Sequence, residues 1–244
     1  MTRSKRDKSR LRPLIAAGTF AGPDDVLRRW KNNAEMIAEV MTMWHPRPHR
    51  GLVVDVTYGR GNWWKVWGDP DVRHGLDLAG TGEFDDGVDF RRLPEPDGTF
   101  GVVAYDPPFV AQGGRETTTI PKMKAAYGLL ELPKSPAGLQ TEVINPGLTE
   151  VHRVLAPGGL ALVKVQNYVS GGDFWPGEYL TIKHAERLGF ELVAIYVHVR
   201  QPGPQPRREN KYPPPLQPVQ EHPANNVSQL LVLRRIKPLV EADS

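Results

Sequence analysis

The stretch Phe100-Gly101-Val102-Val103-Ala104-Tyr105-Asp106-Pro107-Pro108-Phe109 constrains this chain more than any other. Val102 to Tyr105 make an unbroken apolar run, which suits a strand covered on both faces. Two consecutive prolines end it, because neither has an N–H to give to a sheet ladder. The outcome is a stiff turn with an acid, Asp106, at the carboxyl end of a central strand. In open α/β sheets that edge is where ligands bind. An ordinary strand followed by a proline turn would look the same over these few residues, so the remaining chain has to separate the two.

A length of 244 residues fits one α/β domain with appendages, or at most two small domains. With 39% hydrophobic and 24% charged residues, the chain can bury a core and stay soluble. No apolar run approaches the length of a membrane span, and the basic N-terminus lacks the apolar segment of a signal peptide. The absence of cysteine excludes disulfides and thiolate metal sites, and points to a reducing cytoplasm. The 7 histidines are scattered along the chain, and no metal is expected. A net charge of +3 is compatible with a polyanionic partner.

Residues 1–22 are basic, either a solubilising tail or an arm that contacts phosphates. A helix capped by Asp24 or Asp25 is predicted through Val26, Trp30, Ala34, Ile37, Val40, Met41 and Trp44, ending at His45-Pro46. A second buried strand follows from Leu52, then a glycine turn, Thr57-Tyr58-Gly59-Arg60-Gly61, and a helix start in which Trp63 and Trp64 pack. Gly59 and Gly61 let the backbone bend sharply and approach a ligand that a Cβ would push away. The turn lacks the third glycine of a dinucleotide fingerprint and the lysine of a phosphate-binding loop, which argues against NAD and against nucleotide triphosphate hydrolysis. The next strand, Val72 to Leu78, carries Asp77 about 20 residues beyond the loop, where an acid holds ribose hydroxyls in dinucleotide folds. A solvated loop carboxylate is the alternative there.

Residues 110–139 read as a long loop, and long loops inside compact domains are usually functional or disordered. Arg115, Lys122, Lys124 and Tyr127 suit a nucleic-acid-facing surface, since cations meet phosphates and aromatics stack on bases. A lid over a cofactor is the equal alternative. Helices are predicted over 139–155 and 177–188, and strands over Leu160–Val165, Phe190–Val197 and Val227–Leu233. Residues 166–172 read as a polar loop, and the proline-rich basic stretch 201–218 forms no packed element.

Asp106-Pro107-Pro108-Phe109 resembles the Asp-Pro-Pro-Tyr/Phe signature of S-adenosylmethionine-dependent amino-methyltransferases. Asp55-x-Thr57-x-Gly59-x-Gly61 is similar to the first motif of class I methyltransferases, with Thr57 and Tyr58 where small or Phe-type residues are commoner. Arg153-Val154-Leu155-Ala156-Pro157-Gly158-Gly159 is similar to the run that precedes their fifth strand. The resemblance covers about 50 to 235, and the agreement in order carries more than any one motif. It implies a Rossmann-like α/β fold whose sheet has seven strands, mostly parallel with an antiparallel last strand, and helices on both faces. The methyltransferase domain would span 23–235, between the arm at 1–22 and a tail at 236–244. Within it, 110–139 is a lid or target-recognition insertion and 201–226 a proline-rich excursion.

The cofactor implied is S-adenosyl-L-methionine. Asp55, Thr57, Gly59 and Gly61 would lie at its amino-acid end, Asp77 at its ribose, and Asp89 and Phe90 at its adenine. Asp106 and the Pro107 carbonyl would accept the N–H bonds of a target amine, within a motif completed by Pro108, and Phe109 would stack on the base. Gln220-x-His222 and Asn226-x-Ser228 are similar to a pattern in bacterial and phage DNA-methylase-like proteins, which implies His222 and Asn226 as further site residues. The activity implied is methylation of an exocyclic amine of a nucleic-acid base, adenine N6 in DNA first, because cytosine N4 enzymes more often carry Ser in place of the Asp. DNA cytosine N4 methylation, RNA amino-methylation and an inactive nucleic-acid-binding module are the alternatives. DNA is favoured over RNA as partner, no membrane is expected, and the sequence does not set the oligomeric state.

Overall fold

The protein is described by a computed structural model, which covers residues 30–44, 51–73, 88–109, 111, 133–170, 173–199 and 227–236. Asp77, Arg115, Lys122, Lys124, Tyr127, His222 and Asn226 lie outside the described residues, as do most of the arm, the insertion and the excursion.

The apolar runs become strands where β-branched and aromatic residues favour a half-extended, packed backbone. β1 is Leu52–Asp55, β2 Val72–Arg73, β3 Phe100–Tyr105 and β4 Leu155–Gln166. β7 is Phe190–Val199 and β8 Val227–Arg235. They form a six-stranded sheet in the order β2-β1-β3-β4-β8-β7. β2, β1, β3 and β4 pair in parallel, and β8 runs antiparallel to both β4 and β7. The expected antiparallel last strand is thus in place. The sequence reading expected a sheet of seven strands; this sheet has six among the described residues.

Alternation along the strands divides the core into two layers. Val102, Ala104, Leu160 and Leu162 face α1 (Asn33–Trp44), whose Met36, Ile37, Val40 and Met41 pack on them together with Trp63 and Trp64. Val103, Tyr105, Ala161, Val163 and Val165 face the other way, onto Leu148, Val151 and Val154. Those three belong to α3, Asn145–Val154. α4 (Gly177–Leu188) packs on the same side through Ala185. Each fully buried Leu or Val contributes roughly 1.5–3 kcal/mol relative to exposure.

Four local differences from the sequence reading have physical reasons. α1 starts at Asn33, and the expected helix is not continuous through residues 30–32, because Asn32 caps it: Glu35 N–H donates to Asn32 Oδ1 at 3.0 Å, and Glu35 Oε2 accepts from the Lys31 N–H at 3.0 Å; the expected caps Asp24 and Asp25 lie outside the described residues. Residues 62–67 form turns instead of a helix. Gly61 and Gly68 both sit at positive φ, 63° and 102°, at either end of the aromatic run, and helical continuity fails at each.

The helix expected over 139–155 begins at Pro136 and passes from α2 (Pro136–Leu139) through a π turn, Gln140–Ile144, into α3. Pro146 has no N–H for the Glu142 carbonyl, and Asn145 N–H bonds back to Gln140 O. Residues 166–172, read as a loop, include one strand of a hairpin: β5 (Tyr168–Ser170) pairs with β6 (Asp173–Trp175). Polar side chains disguised a strand that belongs to a separate two-stranded sheet.

Candidate active site

The chain leaves β1 for β2 on one side and returns to β3 on the other. The strand order therefore reverses between β1 and β3, and the crevice beyond their carboxyl ends is where open α/β sheets bind ligands. Asp55 ends β1 and Asp106 follows β3, so both acids stand at this crevice.

Asp55 is 3% exposed. Its Oδ1 accepts from the Thr57 N–H at 2.9 Å and the Thr57 hydroxyl at 3.3 Å, and its Oδ2 from the Trp64 indole at 2.5 Å. Burial raises its carboxyl to about 7; the Trp64 and Thr57 hydrogen bonds oppose the rise, and the Asp106 charge adds to it. Both oxygens are committed within the chain, so Asp55 acts on a ligand by holding the shape of the loop.

That loop carries Gly59 at φ 54° and Gly61 at φ 63°, a conformation costly for residues with a Cβ. A Cβ on Gly61 would also collide with the Tyr58 hydroxyl, which donates to Asp69 Oδ1 at 2.9 Å. Thr57 ties the two strand ends together. While its hydroxyl donates to Asp55, it accepts from the Asp106 backbone N–H at 2.7 Å. The threonine noted as a departure from the family pattern is the joint of the site.

Asp106 sits on the α1 side of the sheet, in step with Val102 and Ala104. Lys164 on β4 shares that side with Leu160 and Leu162, and its Nζ stands 4.0 Å from Asp106 Oδ2. The same ammonium is 6.0 Å from the Trp63 ring centroid, at the outer range of a cation–π contact. Asp106 Oδ1 is buried and accepts no hydrogen bond. Burial raises the Asp106 carboxyl above its ordinary value, and the Lys164 charge and the Trp63 indole pull it back. Lys164 was missed in the sequence, where it reads as one residue of an apolar strand. Its parity with Asp106 across neighbouring parallel strands was the available signal.

Asp89 lies under Arg91, which donates from its backbone N–H at 2.8 Å, from Nε at 2.9 and 3.1 Å, and from Nη2 at 2.7 Å. Burial opposes these bonds, but they win and hold the Asp89 carboxyl below its ordinary value. Phe90 is 1% exposed and packs against Tyr105 with ring centroids 5.4 Å apart. Phe90 is therefore part of the core on the α3 side.

Pro107 and Pro108 are buried and Phe109 is half-buried. Past them, on the α3–α4 side, lies a small pocket of about 10 Å³ lined by Pro107, Phe109, Gln140, Ile144, Tyr168 and Trp175 among others. Gln140, Ile144 and Trp175 were not singled out by the sequence reading, because the π turn and the hairpin that present them were not foreseen; Tyr168 lay in a polar stretch weighed there as able to reach a base or phosphate, with a satisfied loop preferred. Among the described residues, no group of three or more His, Asp or Glu side chains is placed to hold a metal ion. No helix among them is long and apolar enough to cross a membrane.

No protein-family model matches the chain, and no curated protein does. Solved structures do. One is a candidate DNA modification methylase of Thermus thermophilus complexed with S-adenosyl-L-methionine, at 17% identity and TM-score 0.37, over 64% of this chain and 56% of that one. The chain thus spans little more than half of that protein's length. Another is an S-adenosylmethionine-dependent methyltransferase of Mesorhizobium loti, at 14% identity and TM-score 0.42, over 81% and 98% of the two chains. A third is the 1,6-didemethyltoxoflavin-N1-methyltransferase of Burkholderia thailandensis, at 12% identity and TM-score 0.44, over 97% and 93%. These are likenesses, and no residue of this chain takes a role from them. The topology and site by themselves define a Rossmann-like α/β protein with a glycine loop and two acids, Asp55 and Asp106, at its switch point.

Proposed function

We propose that this protein is an S-adenosylmethionine-dependent methyltransferase acting on an exocyclic amine of a nucleic-acid base, with adenine N6 in DNA as the leading substrate. The observation that carries the reading is Asp106: an acid with one buried, unpartnered carboxylate oxygen, opening an Asp-Pro-Pro-Phe turn and tied through Thr57 to the glycine loop.

The residues present fit the cofactor. Gly59 leaves its backbone open to approach, with only the Thr57 carbonyl oxygen near the place of a Cβ, Asp89 stands half-exposed near the crevice, and Asp77 is assigned to the ribose by the resemblance. When bound, S-adenosylmethionine supplies an electrophilic methyl group on a sulfonium centre. An exocyclic amine is a poor nucleophile because its lone pair is delocalised into the ring. Asp106 Oδ1 and the Pro107 carbonyl accept its two N–H bonds and draw the nitrogen toward a tetrahedral geometry, while Phe109 stacks on the base. Lys164 favours the ionised form of Asp106, the form that only accepts. Orientation of the amine by these groups supplies much of the rate, and no covalent enzyme intermediate is needed. A base taken from a duplex must first be flipped out, at a cost of a few kcal/mol. Arg115, Lys122, Lys124 and Tyr127 would meet the strand, with His222 and Asn226 near the base.

Incubation with labelled S-adenosylmethionine and either DNA or RNA, followed by digestion to nucleosides, tests this. Label in N6-methyldeoxyadenosine is expected. Label in N4-methyldeoxycytidine or in RNA would reassign the base or the polymer, and no label in either would refute the reading.

A further inference from the structure

Two tryptophans in succession follow the glycine loop, and each sends its indole N–H to a different acid of the crevice. Gly61, at positive φ, starts the turn that presents them. Trp64 N–H donates to Gly61 O at 3.1 Å, and Gly68 N–H to Trp64 O at 2.8 Å. Trp63 and Trp64 are both buried, in the layer between the sheet and α1. The Trp64 indole donates to Asp55 Oδ2 at 2.5 Å, and the Trp63 indole to the Asp106 carboxylate.

The two oxygens of Asp106 have different surroundings. Lys164 Nζ stands 4.0 Å from Oδ2 and 6.0 Å from the Trp63 ring centroid, so the ammonium lies between the acid and the ring. Oδ1 is buried and accepts no hydrogen bond, so the Trp63 contact falls on Oδ2. The terminal torsion of an Asp side chain is broad, and a carboxylate with neither oxygen held turns within it. Lys164 by itself fixes no direction, because an ammonium is a compact charge on a flexible stem. An indole N–H lies in the plane of a rigid ring and can only donate. With that donor on Oδ2, the orientation of Oδ1 is set as well.

We infer that Trp63 is a positioning residue for methyl transfer: its indole N–H fixes Oδ2 of Asp106 and thereby aims Oδ1 at the amine of the methyl acceptor. The inference rests on the methyltransferase reading. It adds that the turn following the glycine loop orients the acid that takes the amine. Trp63 also favours the ionised form of Asp106, as a hydrogen bond to a charged form does. The other charged or titratable groups facing Asp106 among the described residues are Asp55, at the end of β1, and Lys164 on β4. Trp63→Phe leaves both in place, keeps an aromatic ring and removes the N–H.

The test joins NMR of the full chain, with isotope-labelled tryptophan and neither cofactor nor nucleic acid, to steady-state methyl transfer. In wild type the Trp63 indole N–H signal is expected to shift as Asp106 titrates, and in Asp106→Asn to lose that shift. Trp63→Phe is expected to lower kcat roughly tenfold, with KM for S-adenosylmethionine unchanged, the loss of one hydrogen bond to a charged group. It should also move the acid limb of the pH profile upward. Trp67→Phe, the same change in a tryptophan packed on the same layer, controls for packing and is expected to do neither. Should Trp63→Phe fail to fold, the spectra of wild type and Asp106→Asn still decide whether the indole holds the acid. An indole signal indifferent to Asp106, or a Trp63→Phe enzyme with the kcat and acid limb of wild type, would overturn the inference and leave the methyltransferase reading standing. If the indole follows Asp106 but wild type transfers no methyl, that reading fails and Trp63 remains the residue that orients the acid.

Discussion

Thr57→Val is the sharpest perturbation of the site that leaves its shape in place. The two side chains are nearly isosteric, so the change removes a hydroxyl and adds no volume. That hydroxyl accepts from Asp106 N–H at 2.7 Å and donates to Asp55 Oδ1 at 3.3 Å. The first bond is short and its donor half-buried, so its loss leaves an unpaired backbone N–H at a cost of about 1–3 kcal/mol. The second is long, and Asp55 Oδ1 keeps its bond from Thr57 N–H, so its loss falls at or below the low end of the usual range of about 0.5–1.5 kcal/mol. The expected destabilisation is about 2 kcal/mol, or a fall of roughly 4–8 °C in Tm for a chain of this size. Urea unfolding of wild type, Thr57→Val and Thr57→Ser at matched m-values measures it. Thr57→Ser keeps the hydroxyl and should stay much closer to wild type. If Thr57→Val is as stable as Thr57→Ser, the hydroxyl does not join the two strand ends and the site loses its joint.

Two further outcomes follow from the charges. The Asp55 carboxyl rises from 3.8 to about 7 on folding, chiefly by burial, so the folded chain binds that proton more tightly. The corresponding stability is full below about pH 4 and is lost as pH climbs through 7, by roughly 4 kcal/mol at about 1.36 kcal/mol per unit. Wild-type stability should therefore fall relative to Asp55→Asn across that window, and a difference that is flat or rises with pH contradicts the burial argument. Lys164→Met removes the ammonium 4.0 Å from Asp106, lets its carboxyl climb further, and should move the acid limb of the methyl-transfer pH profile upward. An unmoved limb would mean that Lys164 does not hold the acid.

The frame of this protein was legible because its signals are local. Apolar runs bounded by Gly and Pro located β1, β3, β4, β7 and β8, and the double proline put Asp106 at a strand end. What escaped depends on partners far apart in the chain. Lys164 meets Asp106 only because two strands align in parallel register, Tyr105 opposite Val163. The π turn at Gln140 needs the missing N–H of Pro146 to be read against the carbonyls before it. The helix expected after the glycine loop failed because Gly68, at positive φ, closes the aromatic run as firmly as Gly61 opens it. The pairing of Asp89 with Arg91, two residues on, was likewise not foreseen.

The most direct measurement is methyl transfer from labelled S-adenosylmethionine to DNA by wild type and Asp106→Ala, each checked for binding of S-adenosylhomocysteine by calorimetry. The account predicts that wild type labels adenine N6, and that Asp106→Ala binds the product cofactor as wild type does but transfers no methyl above background. Retained transfer by Asp106→Ala, or a wild type that neither binds nor labels, would contradict it.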